Sequence, residues 1–223
     1  MTVNVTVAEL FDAIRAGELS RVKSLLDSEP ALASAKNEKG VSAVLFSIYS
    51  GRTEIRDLLL AQGAKLELQD AAAAGCLDRV KEVVEENPMR ASSFSEDGFP
   101  VVALASVFGH FEVARYLAEK GADINAAATN GSGYNALTGA VASGHLELVK
   151  WLLESSANAN YKYGPGYTPL LTAAANGRLD IIKLLLTHGA DPAATTDDGK
   201  SALALAVERN HPAIADYLRN LAT

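Results

Sequence analysis

The sequence has a single cysteine, Cys76, among its 223 residues, so it cannot form an internal disulfide. Disulfides persist in oxidising compartments, and we therefore expect a reducing compartment, the cytoplasm. The N-terminus lacks the basic start and the apolar core of a signal peptide, and no apolar run is long enough to span a bilayer. These absences argue against secreted disulfide-rich proteins and against membrane-spanning proteins.

Basic residues are also in the minority, with 20 lysines and arginines against 27 aspartates and glutamates. The formal net charge is −7. Nucleic-acid backbones and anionic membranes are bound through basic surfaces. We therefore expect neither a nucleic acid nor a membrane as a partner.

Aromatic residues are few, at 6%, although 48% of the chain is hydrophobic, a composition that suits closely packed helices rich in Ala and Leu. Residues 167–190 show how these residues are used. Thr168 and Pro169 begin a short helix, since the missing N–H of proline costs nothing in a first turn. Gly177 ends this helix, and a second helix rich in Leu and Ile ends at Gly189. Two short helices cannot bury that much apolar surface between themselves, so the pair needs a similar neighbour on each side.

Units of this kind recur along the chain with a period of about 33 residues. The residues that end the first helix of each unit are Gly17, Gly51, Gly75, Gly109, Gly144, Gly177 and Asn210. The sequence therefore predicts a single domain, 1–223, built from units at about 5–40, 41–65, 66–98, 99–133, 134–166, 167–199 and 200–223. The first and last units are expected to cap the array.

Several motifs in these units resemble those of the ankyrin repeat: Thr168-Pro169-Leu170, Gly109-His110-Phe111-Glu112, Gly144-His145-Leu146-Glu147 and Gly121-Ala122-Asp123-Ile124-Asn125. The resemblance covers nearly the whole chain and is strong in the last four units, whereas the first three are degenerate. It implies an all-α solenoid of stacked helix-turn-helix units with short hairpin connections. It also implies a non-catalytic module that binds a partner protein in a concave groove.

A second regularity lies in the first half of the chain. Residues 9–64 align without gaps on residues 67–122, so the first four units look like a duplicated pair. Between Gly63 and Asp70, where the two copies join, there is no room for a hairpin. We call this segment the seam, and we expect the row of hairpins to be interrupted there.

Three of the four histidines, His110, His145 and His211, directly follow the residue that ends a first helix. They lie about one repeat apart, which does not suit a metal site, and the resemblance implies a hydrogen-bonding role instead. Cys76 occupies the same position in the third unit and is interpreted as structural. No Ser/His/Asp or Cys/His arrangement remains that the repeat does not explain. We therefore predict no enzyme, no metal and no cofactor.

Candidate partner-binding residues follow from the resemblance. The residue before each Thr-Pro-Leu-like triplet should face the groove, and in three adjacent units it is aromatic. Residues just before the helix-ending positions should face it too. The predicted set is Tyr49, Phe99, Val107, Phe108, Tyr134, Tyr161, Tyr163, Tyr167, Asn176, Lys200 and Arg209. Rigid aromatics in the middle of such a face resemble binding hot spots, although each ring could instead pack on a neighbouring hairpin and only stiffen the array.

Three functions remain open on the sequence alone. The leading hypothesis is a monomeric module that binds another protein through the groove. The alternative is a structural scaffold that self-associates through helix surface exposed near the seam. A less favoured hypothesis is an enzyme or small-molecule binder with a pocket walled by Tyr161, Tyr163 and Tyr167.

Overall fold

A computed structural model describes residues 3–221, and within them the predicted all-α class is confirmed. The α-helices are α1 (Val3–Ala16), α2 (Leu19–Ser28), α3 (Ala43–Tyr49), α4 (Thr53–Ala61), α5 (Leu68–Ala74), α6 (Leu77–Glu86), α7 (Val101–Val107), α8 (Phe111–Glu119), α9 (Ala136–Ser143), α10 (Leu146–Glu154), α11 (Pro169–Ala175), α12 (Leu179–Thr187), α13 (Ala202–Glu208) and α14 (Pro212–Leu221). Two short 3-10 helices, Pro30–Ser34 and Pro88–Ser92, begin where proline stops a preceding helix.

The helices form successive pairs, α1 with α2 through α13 with α14, and the pairs stack side by side. The first helices of the pairs contact one another in an unbroken row from α1 to α13. This is the solenoid of helix-turn-helix units that the resemblance implies. No helix in residues 3–221 combines the length and the apolar character that crossing a bilayer would require.

Side chains cap the starts of several first helices. The side chains of Ser42, Asn135, Thr168 and Ser201 each accept a hydrogen bond from a backbone N–H in the first turn of the helix that follows. Such caps satisfy donors that a helix start leaves unpaired. At the other end, Asn210 has a φ of 57° and so takes the left-handed conformation that glycine has in the other units.

The seam has no hairpin. Only residues 62–67 separate α4 from α5, and no β-bridge forms among them. Elsewhere in residues 3–221, isolated antiparallel bridges close the hairpins at Lys36–Ser42, Phe94–Pro100, Tyr163–Tyr167 and Thr195–Ser201. The expected interruption therefore lies in the third unit.

The hairpins on either side of the seam nevertheless come together. We name each hairpin after the unit whose first helix it leads into, so that Lys36–Ser42 is the second hairpin and Phe94–Pro100 the fourth. A methyl group added to Gly40 of the second hairpin would lie 3.3 Å from Cγ of Glu96 in the fourth hairpin. Lys36 of the second hairpin also pairs with Glu67 at the start of α5, with Nζ 2.6 Å from Oε1. The second and fourth hairpins are therefore neighbours, although the third unit lies between their helices.

The buried core reflects this arrangement. One cluster covers the first two units, from Leu10 to Leu59, and a second runs from Leu68 to Leu218. Leu66, in the seam, packs against both clusters. A third, smaller cluster consists of Val41, Leu45, Ala73 and Leu104, and thus joins the second, third and fourth units.

Asp70 fixes the start of α5 in place of the missing hairpin. It is only 1% exposed, and its Oδ1 accepts a hydrogen bond from Ser42 Oγ at 2.6 Å while Oδ2 accepts one from the Glu67 N–H at 2.9 Å. Burial raises the pKa of Asp70, whereas these two hydrogen bonds act in the opposite direction. The carboxylate therefore ties the third unit to the second.

We predict that Asp70→Ala destabilises the protein by about 1–3 kcal/mol, because the buried Ser42 hydroxyl and the partly buried Glu67 N–H would lose their acceptor. The matched control is Asp12→Ala. Asp12 is the equivalent residue in the duplicated pair, but it is exposed and pairs only with Arg15 one turn away. This control should change the free energy of unfolding by less than about 0.5 kcal/mol. Urea unfolding followed by circular dichroism measures both, and equal losses would contradict the role of Asp70.

Candidate partner-binding site

Two groups of aromatic rings lie on the hairpin side of the array. The first joins the second unit to the fourth through Tyr49. The Tyr49 ring stacks on Phe108 with centroids 6.1 Å apart, and it contacts Phe99 in an edge-on arrangement at 6.5 Å. Such offset and edge-to-face contacts stabilise ring pairs beyond the area they bury.

The third unit makes this contact possible. Tyr49 ends α3 and Phe108 follows the end of α7, with α5 packed between the two helices. The last four residues of α5 are alanines, and the unit has no hairpin. No bulky side chain of the third unit therefore separates the rings of its neighbours.

These rings line an open depression that we call the aromatic groove. Its volume is about 550 Å³, and its lining residues are Tyr49, Asp97, Phe99, Leu104, Val107, Phe108, Ser132, Tyr134, Gly139, Ala142 and Ser143. Five residues of the predicted partner-binding set are thus brought together on one surface. Gly139 in α9 allows close approach to α7, since any side chain there would collide with Val107.

Asp97 is the only charged residue among those described in the lining of the groove. The Ser95 hydroxyl donates to its Oδ1 at 2.5 Å and so holds the carboxylate in place. Burial raises the pKa of Tyr49, and the charge of Asp97 and the hydrogen bond between the phenol and that carboxylate act in the same direction. The groove is therefore apolar with one fixed negative charge.

The second group of rings is centred on Tyr163. Its ring lies 5.2 Å from Tyr134, 6.4 Å from Tyr161 and 6.5 Å from Tyr167 between centroids. A tight hairpin, in which Tyr163 and Tyr167 exchange both backbone hydrogen bonds, fixes two of these rings. These rings therefore pack on one another around Tyr163.

Tyr163 was predicted to face the groove as a partner-binding residue, but it is buried. It is 8% exposed, and its hydroxyl forms a hydrogen bond with Thr172. Burial raises its pKa to about 12. Tyr163 is placed to hold the rings of Tyr134, Tyr161 and Tyr167, which are all partly exposed.

The three polar residues of the predicted set lie outside the aromatic groove. Asn176 donates from Nδ2 to the Ala142 carbonyl at 3.1 Å. Lys200 Nζ lies 2.9 Å from Glu208 Oε2, and Arg209 is exposed at the end of α13. Asp97 was not among the predicted residues, because Asp97-Gly98 has the sequence signature of an ordinary turn. The nearby Phe99, predicted to face the groove, is the signal in the sequence that Asp97 lies beside it.

The recurrent position of the histidines has a structural explanation that extends across units. Nε2 of His110, His145 and His211 lies 2.9, 3.0 and 3.1 Å from the carbonyl oxygens of Ala73, Val107 and Ala175, each in the preceding unit. The predicted hydrogen-bonding role is therefore found, but it links neighbouring units. Burial lowers the pKa of His110, which favours the neutral ring.

Each of these rings also lies over a glycine of the preceding unit, as His145 does over Gly109. Arg52 makes the equivalent contact over Gly17 and donates to the Arg15 carbonyl at 2.9 Å. Glycine is thus required twice at this position. It adopts the left-handed backbone conformation, and its lack of a side chain leaves room for the side chain of the next unit. In residues 3–221, no group of three or more His, Cys, Asp and Glu side chains is arranged to hold a metal.

We predict that His145→Ala destabilises the array by roughly 1 kcal/mol, because the Val107 carbonyl loses its partner. His188→Ala is the control, since the His188 ring is exposed and its hydrogen-bond partners, the Leu184 carbonyl and the Thr187 hydroxyl, lie in the helix that it follows. Its effect should stay within about 0.5 kcal/mol. Chemical denaturation distinguishes the two, and a His188 variant that is as unstable as the His145 variant would contradict this link.

Fold and surface together define a class, a helical repeat protein with an open apolar groove. A family model for ankyrin repeats in three copies matches residues 68–163 and 137–222, which together are well over half of the chain. The chain belongs to the ankyrin repeat family. Ankyrin repeats are generally protein–protein interaction modules. The match begins in the third unit, and the first two units lie outside it.

Similar proteins include the mouse Ankyrin repeat and SAM domain-containing protein 6, with 34% identity over 88 residues, 40% of this chain and 10% of that protein. The rat protein of the same name is 30% identical over 110 residues, 49% and 12% of the two chains. Alpha-latrocrustotoxin-Lt1a of Latrodectus tredecimguttatus is 28% identical over 116 residues, 48% and 8%. The matched regions span about a tenth of these relatives, so the similarity concerns their repeats.

Proposed function

We propose that this protein is a non-catalytic interaction module that binds a partner protein through the aromatic groove. The observation that carries the proposal is that Tyr49, Phe99, Phe108 and Tyr134, from three different units, line one open surface with Val107. Aromatic anchors of this kind dominate binding energy when a partner covers them and excludes water. Tyr161 and Tyr167 would extend the contact along the array, and Asn176, Lys200 and Arg209 would form its polar rim.

The stiffness of the groove favours this function. Its rings contact one another, and Tyr163 supports Tyr134 from behind. A surface that is ordered before binding loses less conformational entropy when the partner arrives. We infer that the rings have two roles in the same surface. Tyr163 stiffens it, and the rings that line the aromatic groove bind the partner.

We predict that Tyr49→Ala with Tyr134→Ala abolishes the enrichment of specific partners when the tagged full chain is used to purify binding proteins from its native source. Truncating one hot-spot residue costs about 2 kcal/mol or more, so the double variant should weaken binding by several hundredfold. Mass spectrometry compares the proteins recovered with wild-type and variant chains.

The matched control is Phe94→Ala. Phe94 is 43% exposed and belongs to the same hairpin as Phe99, but it does not line the groove. It should recover the same partners as the wild type. If the double variant keeps its partners while circular dichroism shows both variants folded, the interface lies elsewhere and the proposal fails.

We also propose that the protein acts as a monomer in a reducing compartment, the cytoplasm. The scaffold alternative requires helix surface exposed at the seam, but the second and fourth hairpins meet over it. On the other face, the seam is lined in part by Lys65, Asp78, Arg79 and Glu82, which does not resemble the apolar core of a stable dimer interface.

Light scattering at high protein concentration tests this directly. We predict a mass of 23.4 kDa, that of one chain. A concentration-dependent rise towards twice that mass would favour the self-associating scaffold.

A further inference from the structure

We propose that the aromatic groove binds an arginine side chain of the partner protein, with the guanidinium on the ring faces and paired with Asp97. The inference rests on the proposed function and names the chemistry of the partner's anchoring residue. Two observations support it: the single negative charge in the groove, and an arginine that already lies on a ring beside a carboxylate in the first two units.

The first two units already contain such an arrangement, and there the chain supplies the arginine itself. The guanidinium carbon of Arg15 lies 5.6 Å from the centroid of the Phe46 ring. Nη1 of the same side chain is 2.6 Å from Oδ1 of Asp12. These three residues line a depression beside the second hairpin, so a ring, a carboxylate and a guanidinium occur together on the hairpin side of the array.

The aromatic groove has two of these three components. It offers several ring faces and the carboxylate of Asp97, but no lysine or arginine is among the described residues that line it. Asp97 also forms no ion pair with any residue between 3 and 221. A cation over the face of an aromatic ring is attracted by the electron density of that face, and the attraction grows when water is excluded.

The geometry favours arginine over lysine. The guanidinium is planar, so it can stack on a ring while its N–H groups donate to a carboxylate. The Ser95 hydroxyl fixes the Asp97 carboxylate by donating to Oδ1, and carboxylate oxygens can each accept more than one hydrogen bond. Lysine offers a compact, strongly hydrated charge that gains less from stacking.

The net charge of the chain supports the same sign of ligand. The formal charge is −7, and Glu96 lies exposed beside Asp97 at the tip of the fourth hairpin. A negative surface attracts a basic segment before contact and repels an acidic one. The partner segment we infer is therefore basic, with one arginine that enters the groove.

The probe is the peptide acetyl-Ala-Ala-Arg-Ala-Ala-amide, compared with the same peptide carrying citrulline or lysine in place of arginine. Citrulline keeps the planar shape and removes the charge. We expect the arginine peptide to give saturable chemical-shift changes at Asp97, Phe99 and Phe108 in proton–nitrogen NMR spectra of the full chain. Citrulline and lysine peptides should bind at least about tenfold more weakly.

The test variant is Asp97→Asn, which should weaken binding of the arginine peptide by about tenfold. Its control is Asp198→Asn, because Asp198 occupies the equivalent position in the last hairpin, where it accepts from Thr196 and lies 3.7 Å from Lys200 Nζ. This control should leave the affinity unchanged.

Equal binding of the citrulline peptide, equal binding of the lysine peptide, or no saturable change at the groove would each overturn the inference. The outcome is separable from that of the proposed function. If Asp97→Asn keeps the native partners that Tyr49→Ala with Tyr134→Ala loses, the groove still binds protein, but not through an arginine.

Discussion

The structure depends on one constraint, which is that each helix pair has more apolar surface than it can bury by itself. Leu, Ile and Val on both sides of a pair must be covered by the next pair, and burying one such side chain contributes roughly 1.5–3 kcal/mol. The stack follows from this, and so does the way neighbouring units are tied. His145 and Arg52 each reach back to a carbonyl of the preceding unit, and a glycine at the contact leaves room for them.

The same constraint explains why losing a hairpin did not break the array. The helices of the third unit keep their place because α5 packs between α3 and α7. Asp70 and Glu67 take the place of the missing hairpin through a hydrogen bond and an ion pair to the second hairpin. The second and fourth hairpins then contact each other. This brings Tyr49 against Phe108, so an irregularity in the repeat produces the surface that we propose as the binding site.

Much of the fold could be predicted from the sequence because it depends on local signals, such as Pro169 at a helix start, Asn210 in place of glycine, and the periodic Leu and Ile. The surface was only partly predictable. Tyr163 belongs to the same predicted partner-binding set as Tyr167, yet it is buried, because its hairpin turns it towards Thr172. Asp97 reads as an ordinary turn residue, and its place in the groove depends on contacts between units that are distant in sequence.

The aromatic groove joins rings from either side of the third unit, and through-space NMR can measure how close those rings are. The ring centroids of Tyr49 and Phe108 are 6.1 Å apart, although the residues belong to units that a regular array would keep separate. Nuclear Overhauser spectra of the full chain should therefore show cross-peaks between the ring protons of these two residues. Assigned spectra with strong contacts from Tyr49 to the third unit alone, and none to Phe108, would contradict the account.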